Sequence, residues 1–148
     1  MLSAADRALL TSLEKRLDQL AIEVMAFWRT CGPDRKNGGF FGTLDRHGRR
    51  TRPFEKGLVQ QARHLWAFSS WYEIKEPSQQ IRGICDELYR FLVERFYSEA
   101  RREFHFMMSE SGPAASDTRK VLYAQAFGIF ALATYARASK LGTISLQR

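Results

Sequence analysis

Gln61-Ala62-Arg63-His64-Leu65-Trp66-Ala67-Phe68 is echoed sixty-four residues later by Gln125-Ala126-Phe127-Gly128-Ile129-Phe130-Ala131-Leu132. A glutamine–alanine pair leads both stretches, and large apolar residues follow at matching places. The same offset carries Lys56 onto Lys120 and Trp71 onto Tyr135. Upstream it carries Phe40 onto Phe104, Gly48 onto Gly112 and Phe27 onto Phe91. Identity is modest, but one register serves every pair, which marks an internal repeat.

Each repeat holds two helical stretches. Residues about 4–29 place Leu10, Leu13, Leu17, Leu20, Val24 and Phe27 at steps of three and four, a single apolar stripe on a charged helix. Residues about 78–97 do the same with Ile81, Ile84, Leu88, Phe91, Leu92 and Phe96, and Pro77 suits the first turn. The second helices, about 54–74 and about 117–139, are apolar nearly all round, which predicts burial on most faces. The order half-exposed, buried, half-exposed, buried is that of an outer and an inner helical layer. The stripe Lys56, Gln60 and Arg63, spaced four and three, is expected to form one polar line on the first inner helix. The links Gly38–Gly48 and Phe104–Pro113 alternate aromatic and small residues around turns, predicting short β-hairpins gathered at one end of the array. The fold class is all-α: helical hairpin repeats over about 4–74 and about 78–139, with β-hairpin links.

Two hairpins are few for a repeat architecture, which needs three or more units to bury a continuous core. The inner helices are expected to want neighbours on both flanks. Leu141–Arg148 does not continue a third outer helix and offers no polar cap. Either a completing chain, self-association or further sequence is expected to cover the apolar faces.

The 148 residues are 45% hydrophobic and 26% charged, a globular balance, and no apolar run approaches a membrane span. The N-terminus lacks the pattern of a signal peptide. Cys31 and Cys85 have neither metal nor redox spacing, which fits the reducing cytoplasm. The net charge of +7 comes from scattered basic residues with no basic helix, which points away from nucleic acid. His47, His64 and His105 have no ligand partner at metal spacing, and no nucleotide-binding glycine loop is present. No metal and no cofactor is expected.

Three segments carry a more specific likeness. They are Phe27-Trp28 with Asn37-Gly38-Gly39-Phe40-Phe41-Gly42 and Leu44-Asp45-Arg46; Lys56 with Gln61 through Ser69; and Asp117 through Phe127. In this order and spacing the chain resembles the N-acylglucosamine 2-epimerase family, which also contains cellobiose 2-epimerases and mannose isomerases. The resemblance implies an (α/α)6 toroid, six hairpins around a central pocket, of which this chain would be the N-terminal third and thus incomplete. It departs from the family pattern at Arg102-Glu103, where the family often has Gly-Gly, so the second link is expected to differ in shape.

What the resemblance implies for function is a carbohydrate 2-epimerase or aldose–ketose isomerase acting on a mono- or disaccharide. A base takes the proton from C2, an acid returns it, and the enediolate between them needs a positive or hydrogen-bonding neighbour. The family's pocket arginine matches Arg63 and its inner-helix tyrosine matches Tyr123. Read without the resemblance, Arg63 is sooner a structural ion-pair partner than a pocket residue, and Tyr123 is core packing; the resemblance reverses the order for Arg63. His105, Phe106 and Phe41 stand in the links at the expected pocket mouth, as candidates for substrate contact. His64 is expected to face a neighbouring helix, and His47 to be solvated. The family's proton-transferring histidines lie on later inner helices, past this chain, which is therefore expected to be inactive alone. The rival readings are a non-enzymatic helical-repeat binding module and one half of a split enzyme.

Overall fold

A computed structural model describes residues 2–111 and 114–145 of the chain, with side chains as far as Lys140. Gly112, Pro113 and the end of the tail, on which parts of the repeat and link readings fall, lie outside the described residues. In chain order the elements are α1 (Ala4–Cys31), β1 (Lys56–Gly57), α2 (Leu58–Ile74) and α3 (Gln79–Phe91), which continues as a π-helical turn (Leu92–Phe96). Then come β2 (Tyr97–Ser98), β3 (Glu103–Phe104), β4 (Met107–Met108), β5 (Ala115–Asp117) and α4 (Leu122–Ser145).

Local chemistry sets the helix starts. α1 opens with a capping box: the Asp6 amide donates to Ser3 Oγ at 3.1 Å and the Ser3 amide to Asp6 Oδ2 at 2.9 Å. α3 is capped by Ser78, whose hydroxyl accepts from the Ile81 amide, so Pro77 precedes the cap instead of occupying the first turn. α2 has Gly57 at its cap and no side-chain cap. Its first amide, on Leu58, donates to the Phe106 carbonyl of the other link at 3.0 Å. α2 and α4 both start later than their apolar runs suggest: β1 claims the residues just ahead of α2, and residues 118–121, between β5 and α4, are in neither strand nor helix.

The links come together at one end. β1 pairs antiparallel with β4, placing Lys56 opposite Met108, and β4 pairs with β5, so a strand of the first link joins the sheet of the second. The rest of the first link keeps only isolated bridges, Pro33 with Phe40 and Leu44 with Arg50. Between the latter two, Asp45 organises the turn by accepting from the His47 and Arg49 amides.

α2 and α4 lie side by side in the same register. Arg63 sits over the Phe127 ring at 5.0 Å, Trp66 meets Phe130 at 6.1 Å, and Arg137 Nη2 reaches Glu73 Oε2 at 2.8 Å. Each pair is sixty-four residues apart, so equivalent positions of the two repeats touch. α4 makes this close approach through small buried residues, Ala124, Gly128, Ala131, Thr134 and Ala138. α2 contributes Leu58, Ala62, Leu65 and Phe68 to the core, and α3 with its π turn adds Ile81, Leu88, Phe91, Leu92 and Phe96. Each such large side chain gains about 1.5–3 kcal/mol from burial.

Burial on most faces holds only for α2, and there incompletely. α4 leaves its large residues open, with Leu122, Ile129 and Phe130 exposed, because no helix flanks that side among the described residues. α1 buries none of its residues, and its apolar stripe, Leu10 to Val24, faces outward. Among the described residues, no helix is long and apolar enough to cross a membrane.

Candidate functional site

A cavity of about 560 Å³ opens where the links meet the start of α2. Trp28 of α1 and Gly42 to Leu44 of the first link form one wall, and Phe106 and Met107 of the second link form another. Between them α2 presents Val59, Gln60, Arg63 and His64. The meeting of the links creates this cavity: β1–β4 pairing and the Leu58-to-Phe106 bond bring Phe106 over the first turn of α2.

Arg63 is exposed, and among the described residues its one recorded polar or ring partner is the Phe127 face at 5.0 Å. A guanidinium resting on a ring keeps its charge and its forward-facing donors, which a carboxylate partner would consume. Gln60 is committed elsewhere, its amide donating to the Phe41 carbonyl at 2.6 Å. Lys56 leaves the expected stripe altogether. It precedes α2, in β1, so its spacing to Gln60 is not helical, and its ammonium is buried against Asp34 Oδ2 at 2.8 Å.

His64 is wedged between the Trp28 ring at 4.4 Å and the Phe40 ring at 4.5 Å, while also bordering the cavity. Burial pushes its imidazole down to about 4, so it stays neutral at physiological pH. Cys85 is buried, which raises its thiol to about 11 and leaves it a poor nucleophile.

The remaining candidates divide. Phe106 borders the cavity, with the Arg119 guanidinium 5.7 Å from its ring. Tyr123 stands at the place in α4 that Val59 holds in α2; it is exposed, and its ring meets Phe127 at 4.8 Å, on the ring that carries Arg63. Phe41 is half-buried beside the cavity wall, its ring approached by Arg50 at 5.8 Å. His105 is not among the residues bordering the cavity: its amide donates to the Phe96 carbonyl, and its Nδ1 is buried without a partner among the described residues. Arg63 and Phe106 thus border one cavity, Tyr123 reaches Arg63 only through the shared Phe127 ring, and Phe41 and His105 stand off the cavity. His47 is exposed in the Asp45 turn.

In the sequence the glutamines serve only to mark the repeat; their structural role is new. Gln61 clamps the backbone of Phe40, accepting from its amide and donating to its carbonyl, both at 2.9 Å. Gln125 clamps Phe104 in the same way, at 2.8 and 2.7 Å. These bonds hold each link against its inner helix. The signal was present: a polar residue repeated in register within an otherwise apolar helix.

Among the described residues, no group of three His, Cys, Asp or Glu side chains converges to hold a metal ion. The cavity therefore offers an unneutralised cation, aromatic faces and a neutral imidazole, and no described acid–base couple borders it.

Comparison with known proteins gives a consistent picture. The family described as N-acylglucosamine 2-epimerase (GlcNAc 2-epimerase) matches residues 39–146. A cellobiose 2-epimerase of Dictyoglomus turgidum is 30% identical over 123 residues, which are 83% of this chain and 31% of the relative. The structure of the cellobiose 2-epimerase from Spirochaeta thermophila superposes with a TM-score of 0.84 at 29% identity, covering 93% of this chain and 34% of that one. A D-mannose isomerase crystal structure shares the fold, with a TM-score of 0.73 at 20% identity, over 90% of this chain and 34% of that one. The chain spans about a third of the length of the relatives it matches.

Proposed function

This chain belongs to the N-acylglucosamine 2-epimerase family, and from that premise we propose that it forms the Arg63 side of the substrate pocket in a carbohydrate 2-epimerase or aldose–ketose isomerase. In this reading it makes up the first two of six hairpins of an (α/α)6 toroid, repeat one about 4–74 and repeat two about 78–139. The substrate is a mono- or disaccharide with a reducing end; the relatives' names point first to cellobiose.

The observation that carries the reading is the free guanidinium of Arg63 on the cavity wall. Removing the proton at C2 places negative charge on the neighbouring oxygen, and a cation already resting on the Phe127 ring at the cavity wall is placed to stabilise that charge. The Phe106 ring offers an apolar face to the C–H side of a sugar, and Tyr123 offers a hydroxyl beside the Phe127 ring on which Arg63 rests. Phe41 and His105 stand behind the wall and support the links that form it. The acid and base come from histidines outside this chain, so the chain alone exchanges no C2 proton. Unpaired Cys31 and Cys85 suit a reducing, cytoplasmic setting. The open faces of α1 and α4 are filled by the rest of the toroid, by a completing chain or by self-association.

The test is a chimera in which this chain replaces the matching third of the Spirochaeta thermophila cellobiose 2-epimerase. C2 deuterium exchange into cellobiose in D2O is followed by proton NMR. The chimera is expected to exchange, and Arg63→Lys to lower turnover by roughly 10²-fold or more. Near-normal turnover in Arg63→Lys would overturn the role of Arg63. Exchange by the 148-residue chain alone would overturn the placement of the acid–base couple outside it.

A further inference from the structure

A second hollow, of about 740 Å³, lies between the turn at 33–39 and α3, and shares no residue with the Arg63 cavity. Five cations border it: Arg35 and Lys36 from the turn, Arg90 from the last turn of α3, Arg95 from the π turn that follows, and Arg29, which is paired with Glu76. None of the first four makes an ion pair among the described residues, whereas Arg29, Arg49, Arg101, Arg119 and Arg137 all do. Three acids border the hollow as well: Asp34 is consumed by Lys56, and Glu87 and Glu94 are absent from the ion pairs among the described residues, so the acids at hand do not pair with these four cations. A basic residue near a helix C-terminus ordinarily answers the helix dipole, which accounts for Arg90. It does not account for Arg35 and Lys36, which stand on no helix.

Gly83 supplies an independent observation. It lies in the interior of α3 and borders the hollow, and glycine there destabilises a helix relative to alanine. Packing does not demand it, because a β-carbon at Gly83 would meet nothing within 4 Å. What the missing side chain leaves is bare helix backbone on the floor of a cation-rimmed hollow.

We propose that this hollow binds a phosphate-bearing small molecule, apart from the sugar cavity. Four free cations against two free acids leave room for about two negative charges, more than a single carboxylate supplies. Guanidinium forks match phosphate oxygens in paired hydrogen bonds. The volume is within the range of small-molecule sites, roughly 300–1,000 Å³. The proposal does not rest on the role given to Arg63.

The experiment is titration of the 148-residue chain with pyrophosphate at fixed ionic strength, followed by amide shifts in NMR spectra. Saturable binding is expected, with shifts at Gly83 and in the turn at 35–38. The pair Arg90→Ser/Arg95→Ser is expected to weaken it at least about tenfold. Arg35→Ser/Lys36→Ser, on an exposed turn, gives the same readout should the first pair disturb α3. Arg7→Ser/Arg16→Ser removes as much charge from exposed α1 and is expected to change affinity less than about twofold. Gly83→Leu keeps every cation but fills the floor, and is expected to abolish saturation. Binding that never saturates, or that weakens equally with the α1 pair, would reduce the effect to attraction by net charge and overturn the site. Full affinity in Gly83→Leu would overturn it as well.

Discussion

Repeat one and repeat two use the same device in different surroundings. In both, a glutamine of the inner helix clamps a phenylalanine of the link. In both, the turn before that phenylalanine closes through the same backbone bond, Gly38 to the Asp34 carbonyl at 2.8 Å and Arg102 to the Ser98 carbonyl at 2.7 Å. In both, a lysine ahead of the inner helix meets an acid of the link. Yet Lys56 and Asp34 are sealed, their side chains 0% and 2% exposed, while Lys120 is 62% exposed beside Glu103. The seal is Phe91, the end of the next outer helix: its ring lies 5.1 Å from the Lys56 ammonium and presses on Gly38 and Gly39. Repeat two has no such neighbour among the described residues. The lesson is that the repeat specifies the hydrogen bonds, and the neighbouring repeat decides what those bonds are worth.

The largest test of that contrast is to remove each lysine in turn. Lys56→Met strands the Asp34 carboxylate in the interior and should cost about 3–5 kcal/mol. Lys120→Met breaks a solvated pair and should cost less than about 1 kcal/mol. Urea unfolding compares them, and equal losses would break the contrast.

Acid should find repeat one through His64. Its folded value, about 4, lies below the ordinary 6.5, so the unfolded chain binds this proton more readily. The stability it supports is full above pH 6.5 and is lost as the pH falls through about 4, up to about 3 kcal/mol in all. His64→Leu should flatten melting temperature between pH 7 and pH 4. Repeat two has Gly128 at this place, with the Phe104 ring packed on it, and contributes nothing to that slope.

The clamps should cost alike despite the different surroundings. Gln61→Leu and Gln125→Leu each leave a buried amide and carbonyl unpaired, a loss of about 2–3 kcal/mol by thermal or urea unfolding. A much smaller loss in repeat two would show that its link is already solvated.

The smallest effect is a gain. Arg102 takes φ +54, in the left-handed region, at the place where Gly38 takes φ +80. A β-carbon there costs about 1 kcal/mol, so Arg102→Gly should stabilise the chain by about that much, and Gly38→Ala should do the opposite. Differential scanning calorimetry resolves both. This position also narrows an expectation. Of the two glycine positions, Arg102 keeps the left-handed step of Gly38 and bears its strain, whereas Glu103 lacks the positive φ of Gly39 and enters β3, so the second link follows the first only in part.

Much of the molecule was legible in the chain. The offset between Gln61 and Gln125 already marked two equivalent inner helices, and the stripes and turns specified four helices and their links. Arg63 could be singled out as a charge on an apolar helix. What could not be read was its partner: a cation–π contact with Phe127, across sixty-four residues, against the carboxylate that burial alone suggests. Nor could the gathering of Phe106 with Arg63, the departure of Lys56 from the polar stripe, or the exposure of α1. Periodicity is a local property, written every three or four residues, and it survives whatever packs around it. Burial, pairing and the worth of a charge depend on which distant segment arrives to exclude water, and only the assembled tertiary structure decides that.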